Sequence, residues 1–206
     1  MNILKSVRIL AALGFVASAG FAEAALVSIN IPNFSGSETV IDYGVTQTFA
    51  PVDGLTISGV QHGFTIGGIA STDAVIDGGP GNTNNITVAD IEGNTNGVLS
   101  FLFPALQSRM GFGWATASGG GVSIELFDAS NISLGSLSFS GLPDPIFIGG
   151  FAGVQSDIQF ARAEVSWDLG TRFAVDNLRF ESVPEPSSLA LLGIAALGLG
   201  FARKRS

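Results

Sequence analysis

The sequence predicts an all-β protein, built as an antiparallel two-sheet β-sandwich or as a barrel, because three observations on residues 25–182 agree. Gly, Asn, Asp, Ser and Pro recur roughly every ten residues, at the spacing of turns. The runs between them alternate apolar and polar residues, which is the period of a half-buried strand. No apolar stripe of helical period appears. About ten short strands in one domain favour a sandwich or a barrel.

The strands are predicted one by one from this alternation. Val122, Ile124 and Leu126 alternate with less apolar residues, and the pattern resumes after the turn residues 128–131, so 121–140 is predicted as a β-hairpin. In the last strand the apolar phase slips at Asp176-Asn177, which predicts a β-bulge. The other predicted strands are 26–31, 55–60, 63–67, 98–103, 109–114, 146–152, 158–167 and 172–180.

The amino terminus predicts a signal peptide over residues 1–24. Lys5 and Arg8 precede an apolar run at 9–21, and Ala22 and Ala24 form a small-x-small cleavage site around Glu23. Cleavage after Ala24 by signal peptidase, following export by the general secretion machinery, would start the mature chain at Ala25. The alternative is an uncleaved amino-terminal anchor, for which the apolar run is short.

The carboxyl terminus predicts an extended strip followed by a single transmembrane helix. Pro184 and Pro186 flank Glu185 and hold the backbone extended, because each fixes φ and restricts its predecessor. The predicted transmembrane helix is 188–202, and its apolar run 189–202 would be roughly 21 Å long, short of the ~30 Å hydrocarbon core. Such a span suits a temporary anchor.

A basic cluster follows the predicted span. Arg203, Lys204 and Arg205 would stay in the cytoplasm and leave the body of the protein outside. The alternative is a buried core helix followed by a solvated basic end.

Residues 183–206 resemble the PEP-CTERM sorting signal of Gram-negative bacteria, in Pro184-Glu185-Pro186, the apolar span and the basic cluster. The resemblance implies recognition by an exosortase-type sorting peptidase and a protein connected with exopolysaccharide and biofilm. Stretches of the body, chiefly 97–104, 111–113, 122–128, 149–158 and 173–180, resemble the jelly-roll domains common in such proteins. The resemblance therefore implies a jelly-roll-like sandwich flanked by a signal helix and a transmembrane helix.

Composition excludes several classes of function. The segment 25–182 carries four arginines, no lysine and fifteen carboxylates, a net charge of −11. Binding to nucleic acid or anionic lipid needs clustered basic residues, so neither is expected. The chain contains no cysteine, which excludes disulfides, thiolate metal sites and cysteine nucleophiles.

Two calcium sites are weighed against simpler explanations. Asp90, Glu92, Asn94 and Asn96 are spaced by two before Gly97, so their oxygens could surround Ca²⁺. The alternative is a polar hairpin loop, because the EF-hand frame places Phe103 where its glutamate should stand. By resemblance to jelly-roll carbohydrate modules, Asp176 in the closing strand is a further calcium ligand, with Asp42 near it. The alternative there is an Asp-Asn pair that stabilises the bulge.

Glycan binding and catalysis have fewer candidate residues. Trp167, Trp114 and Tyr43 are the only Trp and Tyr side chains available for a glycan platform, and Trp167 is the best placed of them. The alternative is that they pack in the core. His62 is the only histidine, in a predicted turn and without a nucleophile motif, so no catalytic residue is assigned.

The sequence thus predicts an exported, non-enzymatic protein of the cell surface or exopolysaccharide matrix, anchored in the inner membrane only transiently. A carbohydrate-binding module, with Ca²⁺ as a structural ion, is the first alternative. An unrecognised glycan hydrolase is the second, because fifteen carboxylates always provide some suitable pair.

Overall fold

The structure, a computed structural model, describes residues 24–44, 48–79, 85–86, 89–168 and 170–182. Within these ranges the chain forms β-strands and one short 3-10 turn, Ile31–Asn33. The strands are β1 Leu26–Ser28, β2 Thr39–Ile41, β3 Thr56–Ile57, β4 Val60–Ile66, β5 Ile69–Ala70, β6 Val75–Asp77, β7 Asp90–Asn94, β8 Gly97–Thr116, β9 Gly121–Phe127, β10 Ser133–Ser140, β11 Leu142–Asp144, β12 Phe147–Trp167 and β13 Arg172–Glu181.

All strand pairs are antiparallel, and β8 and β12 run through both halves of the sheet. In the first half, the beginning of β8 pairs with β4, while the end of β12 pairs with β9, which pairs with β10. In the second half, the end of β8 pairs with β13, which pairs with β7 and β2. The beginning of β12 also belongs to this half, where it pairs with β1 and β11.

Aromatic contacts show that the two halves pack face to face. Phe64 of the first half lies with its ring centroid 5.9 Å from that of Phe173 in the second. Trp167 stacks on the same ring at 3.6 Å and an interplanar angle of 11°. Because β4 and the end of β12 are not hydrogen-bonded to β13, these contacts cross the interior. The all-β, sandwich-like prediction is confirmed for the described residues.

The long strands change layer where their pairing is irregular. Between β8 and β12 the register shifts around Phe160. Leu102 and Gln107 are five positions apart on β8, whereas their partners on β12 are only two positions apart. Pro104 lies in this stretch and is exposed. A proline has no backbone N–H to donate, so it is tolerated where the ladder is interrupted.

The sequence predictions of single elements had mixed outcomes. The hairpin over 121–140 is confirmed as β9 and β10, and the bulge at Asp176-Asn177 is confirmed by a register shift and by φ of +54° at Asn177. Predicted strands 98–103 and 109–114 are parts of β8, and 146–152 and 158–167 are parts of β12. Strands β2, β5, β6, β7 and β11 were missed, since each is short or rich in polar residues and glycine.

The predicted terminal segments lie outside the described residues. This applies to the signal helix up to residue 23, with Ala22, and to the tail from residue 183, with its sorting-motif and basic residues. None of the described segments forms a helix long and apolar enough to cross a membrane. Ala24, at the predicted cleavage site, is described and packs in part against the core.

Candidate functional site

A row of three carboxylates crosses neighbouring strands on the outer side of the second layer. Asp77 on β6 lies directly opposite Asp90 on β7. Val175 on β13 lies opposite Ile91, and the same register places Asp176 beside Asp90. Ile91 and Val175 belong to the core, so the alternating carboxylates face away from it. We call Asp77, Asp90 and Asp176 the acidic row.

Asp90 is the most unusual member of the acidic row. It is 0% exposed, and neither carboxylate oxygen accepts a hydrogen bond from a described residue. Desolvation, and then the charges of Glu92, Asp176 and Asp77, raise its pKa to about 8. The N–H of Gly79 lies near enough to lower that pKa slightly, but not in position to bond either oxygen. Asp90 is therefore mostly protonated at neutral pH.

Glu92, next along the outer side of β7, links the acidic row to a basic side chain. Arg172 Nε lies 3.6 Å from Glu92 Oε2, and Arg172 Nη1 lies 3.9 Å from Asp73 Oδ1. Desolvation and the charge of Asp77 raise the pKa of Glu92, although Arg172 acts in the opposite direction. The Arg172 side chain is 43% exposed, so its guanidinium is accessible from solvent.

A shallow groove of about 220 Å³ adjoins this ion pair. Its apolar lining is provided by Ala115, Ala117 and Ala174, and Phe147 and the Glu92–Arg172 pair border it. Ala174 and Ala115 are cross-strand neighbours on β13 and β8, so the floor is formed by two paired strands. The groove thus combines an apolar floor, one aromatic ring and a charged pair, which can contact both the ring and the hydroxyls of a small ligand.

The second site, a larger polar pocket of about 540 Å³, lies at the end of β13. Arg109 Nη1 donates to Glu181 Oε1 at 2.8 Å and to the carbonyl of Asn33 at 2.7 Å. Ser35 donates to Glu181 Oε2 through its hydroxyl at 2.5 Å and its N–H at 3.2 Å. Desolvation raises the pKa of Glu181, but the bonds from Ser35 and Arg109 outweigh it and leave that pKa lowered.

The predicted calcium loop is a strand and a turn. Asp90, Glu92 and Asn94 alternate along β7, and Asn96 lies in the two-residue turn before β8. Asn94 Oδ1 accepts a hydrogen bond from Asn96 N at 2.9 Å and so stabilises that turn. The four side chains therefore do not surround one point, because a strand directs them along its length.

The second predicted calcium pair is also separated. Asp42 follows β2 and is exposed, and its Oδ1 accepts a hydrogen bond from Gly44 N at 3.2 Å. Asp176 is buried in the acidic row. Asn177 Nδ2 donates to Asp176 Oδ2 at 3.0 Å across the bulge. Among the described residues, no three Asp, Glu or His side chains stand close enough to hold a metal ion.

The predicted glycan platform is corrected by burial. Trp114 and Tyr43 are 1% and 0% exposed, and Trp167 is 8% exposed with its ring stacked on Phe173. Strand alternation directs the rings of Trp114 and Trp167 inward, and Tyr43, which follows β2 with φ of +56°, also lies in the core, so none offers a face to a sugar. Phe147, which is partly exposed and borders the groove, was missed by sequence reasoning because Phe is expected in cores.

The prediction that His62 lies in a turn is wrong. His62 is a core residue of β4. It is 1% exposed, and its ring nitrogens lie 3.1 Å from the Tyr43 hydroxyl and 3.0 Å from the Val60 carbonyl. Desolvation lowers its pKa to about 4, against the effect of backbone hydrogen bonds to Val60 and Leu55. A neutral, enclosed imidazole of this kind packs the core.

Asp77 is the member of the acidic row that sequence reasoning missed. It lies thirteen positions before Asp90, and only the pairing of β6 with β7 brings the two together. The two-residue alternation of Asp90 and Glu92 was the available signal for a shared strand face.

Comparison with known proteins identifies the tail. Residues 182–205 match the family model described as a PEP-CTERM protein-sorting motif, so the chain carries this sorting signal. The motif implies an exported protein that an exosortase recognises and processes. No curated protein matches the chain.

Solved structures give weaker likenesses to the body. A family 29 carbohydrate-binding module complexed with cellulohexaose is 14% identical at a TM-score of 0.42, covering 77% of this chain and 92% of that one. Another mutant of a family 29 module is 14% identical at a TM-score of 0.41, and the match covers 68% of this chain and 94% of that one. The enzymatically active domain of tailspike protein 4 from bacteriophage CBA120 is 12% identical at a TM-score of 0.37. This match covers 64% of this chain and 22% of that one. All three scores are below 0.5, and the description of the sandwich rests on its own strand pairing.

Proposed function

We propose that this chain is an exported, non-catalytic β-sandwich that its carboxyl-terminal signal delivers to the cell surface or exopolysaccharide matrix. The observation that carries the proposal is the junction between the β-sandwich and the sorting tail. The last strand ends at Glu181, and the sorting motif begins at Ser182. The tail therefore follows the folded body without a spacer, as a signal appended to a finished domain would.

The polar pocket supports this arrangement physically. Arg109 and Ser35 hold Glu181, the last residue of β13, to two other parts of the sandwich. A pull on the tail during insertion and cleavage would act first on this residue. Charge-assisted hydrogen bonds resist such fraying better than neutral ones. The sandwich would remain intact while the tail is removed.

The test replaces Pro184, Glu185 and Pro186 by alanine in the full chain in its native cell. Export should be unchanged because the amino-terminal signal is intact, whereas tail removal should stop because the extended strip is lost. The mature mass reports tail removal. Replacing Arg172 by alanine, in the body, is the control and should leave processing unchanged. Normal tail removal in the triple variant would contradict the proposal.

The absence of enzymatic activity remains part of the proposal. Asp90 has the raised pKa that a general acid needs, but its oxygens are buried away from any substrate. His62 is likewise enclosed. A hydrolase would need an accessible pair of carboxylates with separated pKa values, and the groove supplies only Glu92.

A carbohydrate-binding role for the groove is the second candidate. Phe147 offers an apolar ring face, and Glu92 and Arg172 offer an acceptor and a donor for hydroxyl groups. Glycan-array binding by the full chain in detergent, compared with Phe147→Ala, tests it. Loss of binding on substitution would support the role, and unchanged binding or no binding would contradict it. Phe49→Ala, which alters an exposed Phe outside the groove lining, is the matched control.

We also propose Ca²⁺ as a structural ion at the acidic row, where it would replace the proton on Asp90. The supporting observation is a buried carboxylate without a hydrogen-bond partner beside Asp77 and Asp176. Carboxylate oxygens are the ligands that Ca²⁺ prefers. The three side chains would have to turn towards one another to bind a single ion. Ca²⁺ at millimolar concentration should raise the unfolding temperature of the full chain, and Asp90→Asn should abolish the rise. No shift would contradict the site.

A further inference from the structure

The polar pocket at the end of β13 brings together polar side chains from four separate parts of the chain. It is lined by Ser35 and Ser37 from the loop before β2, by Thr39 on β2, by Gln107 and Arg109 on β8, and by the last residues of β13. Its volume of about 540 Å³ lies within the range of small-ligand sites, about 300–1,000 Å³. The pocket is therefore large enough for a small ligand.

Gln107 is the most buried polar side chain in the described lining of this pocket. It is 6% exposed, and its Nε2 donates to the carbonyl of Ala105 at 2.9 Å. No described residue donates to its Oε1. The polar atoms of buried side chains are normally hydrogen-bonded, so this oxygen is an acceptor for a molecule in the pocket. The bond to Ala105 holds the amide, and thus the acceptor, in place.

Arg109 supplies a hydrogen-bond donor to the same pocket. Its Nε donates to Gln155 Oε1 at 2.8 Å, and its Nη1 donates to Glu181 and to the carbonyl of Asn33. Nη2 carries two further N–H groups, and no described residue accepts from them. The hydroxyl of Thr39 also has no partner among the described residues. The pocket therefore offers a fixed donor, a fixed acceptor and a hydroxyl group that can act as either.

The charges in the pocket lining favour a neutral ligand. Arg109 and Glu181 are the charged residues of the described lining, and they form an ion pair at 2.8 Å. A ligand carboxylate would be repelled by Glu181 and by a body with a net charge of −11, whereas a cation would be repelled by Arg109. Neutral hydroxyl groups can accept from Arg109 Nη2 and donate to Gln107 Oε1 without either conflict. An apolar ligand would leave both groups without partners.

We propose that the polar pocket binds a neutral sugar through Gln107, Arg109 and Thr39. The hydroxyl groups of a sugar both donate and accept hydrogen bonds, which matches the unpartnered groups of the pocket. Phe180 adds an apolar part to the lining, which can contact the C–H groups of a sugar ring. The inference rests on the proposed function only in that an exported body would meet such a sugar in matrix polysaccharide. The groove beside Phe147 is a separate site, because the two share no described lining residue.

Sugar binding by the full-length chain tests the proposal. The chain is purified in a zwitterionic detergent, because a sugar-based detergent would compete for the pocket. Titration with glucose, galactose and mannose at millimolar concentrations, followed by saturation-transfer NMR, should detect binding of at least one of them. The uronate and the amino sugar that correspond to the bound sugar should bind at least about tenfold more weakly. Binding of none of the neutral sugars, or preference for a charged one, would overturn the proposal.

Thr39→Phe tests whether the sugar occupies this pocket. Thr39 is exposed and its hydroxyl has no described partner, so a phenyl ring should fill part of the pocket while the fold remains. The affinity for the sugar should fall at least about tenfold. Thr56→Phe is the matched control, because Thr56 is an exposed threonine of another short strand, β3, outside the described pocket lining. Equal affinities of the two variants would overturn the proposal.

Gln107→Met removes the fixed acceptor with little change in side-chain length, and should also weaken sugar binding about tenfold. Circular dichroism checks that this variant is folded, and Thr39→Phe decides the question if it is not. Normal binding in Thr39→Phe with loss of binding in Phe147→Ala would assign the sugar to the groove and overturn the pocket. Tail removal in cells is measured separately, with the variant of Pro184, Glu185 and Pro186. Failure of sugar binding is thus distinguishable from failure of the proposed function.

Discussion

Asp90 and Glu181 are buried carboxylates in the same layer of the sandwich, but their surroundings differ. Glu181 receives hydrogen bonds from Arg109 and Ser35, and its pKa is lowered. Asp90 has carboxylate neighbours and no hydrogen-bond partner among the described residues, and its pKa is raised to about 8. Removal from water raises the pKa of both groups, and the hydrogen-bond donors and charges near each one decide the direction of the net shift.

The opposite pKa shifts of Asp90 and Glu181 predict that their contributions to folding stability depend on pH in opposite directions. For Glu181, the folded state binds fewer protons than the unfolded state, so its contribution to stability is lost as pH falls through its folded pKa. For Asp90, the folded state binds more protons between about pH 4 and 8, so stability decreases as pH rises through that range. One layer therefore contains an acid-sensitive and a base-sensitive carboxylate.

The largest expected effect comes from Asp90→Asn, which removes the base-sensitive group. The native chain should lose about 1.4 kcal/mol of stability per pH unit from this group between about pH 4 and 8. The variant should lack that slope and be the more stable protein at pH 8. Urea unfolding from pH 5 to 8 measures the slope, with the exposed Asp42→Asn as control. Parallel curves for variant and native chain would show that Asp90 ionises normally.

Arg109→Ala should have the next largest effect, because it leaves Glu181 buried with a charge that Ser35 alone must satisfy. We expect a loss of about 2–3 kcal/mol at pH 7. The loss should shrink at low pH, where Glu181 becomes protonated. Arg162→Ala is the control: Arg162 pairs with the more exposed Glu164, so it should cost at most about 1 kcal/mol. Equal losses of stability in Arg109→Ala and Arg162→Ala would contradict the expectation that the more buried ion pair contributes more.

The smallest expected effect concerns Asp157, which bonds the predicted mature terminus. Ala25 N lies 2.8 Å from Asp157 Oδ1. Cleavage after Ala24 would turn this amide into an ammonium group and the hydrogen bond into an ion pair. In the exported protein, Asp157→Asn should then cost roughly 0.5 kcal/mol, with Asp42→Asn as control. Mass spectrometry must find Ala25 as the first residue, and any other terminus would contradict this contact.

Local patterns predicted those features that neighbouring residues determine. The hairpin of β9 and β10 follows from alternation around a turn, and the slip of apolar phase revealed the bulge at Asp176-Asn177. The sorting tail was recognisable because its prolines, apolar run and basic cluster are consecutive. Strand β7 was mistaken for a loop because Asp90, Glu92 and Asn94 are poor strand formers by composition, and pairing with β6 and β13 overrides that preference.

The candidate sites depended on contacts between distant parts of the chain. Asp90 and Asp176 were both singled out from sequence, but for separate sites, and the register of β7 and β13 unites them with Asp77. Trp114, Trp167 and Tyr43 were candidates for a glycan platform, with packing as the alternative, because alternation alone cannot say which side of a strand a second layer covers. Phe147 is only partly covered by the same layer arrangement and borders the groove.

The sequence by itself determined an all-β body, its net charge, the hairpin and bulge, and the sorting signal, because each depends on composition or on residues close in the chain. Tertiary structure alone decided which carboxylates stand together and which aromatic rings are buried. These properties arise from the pairing of strands far apart in sequence. Strand pairing is set by the energy of the whole sheet, which no short segment encodes.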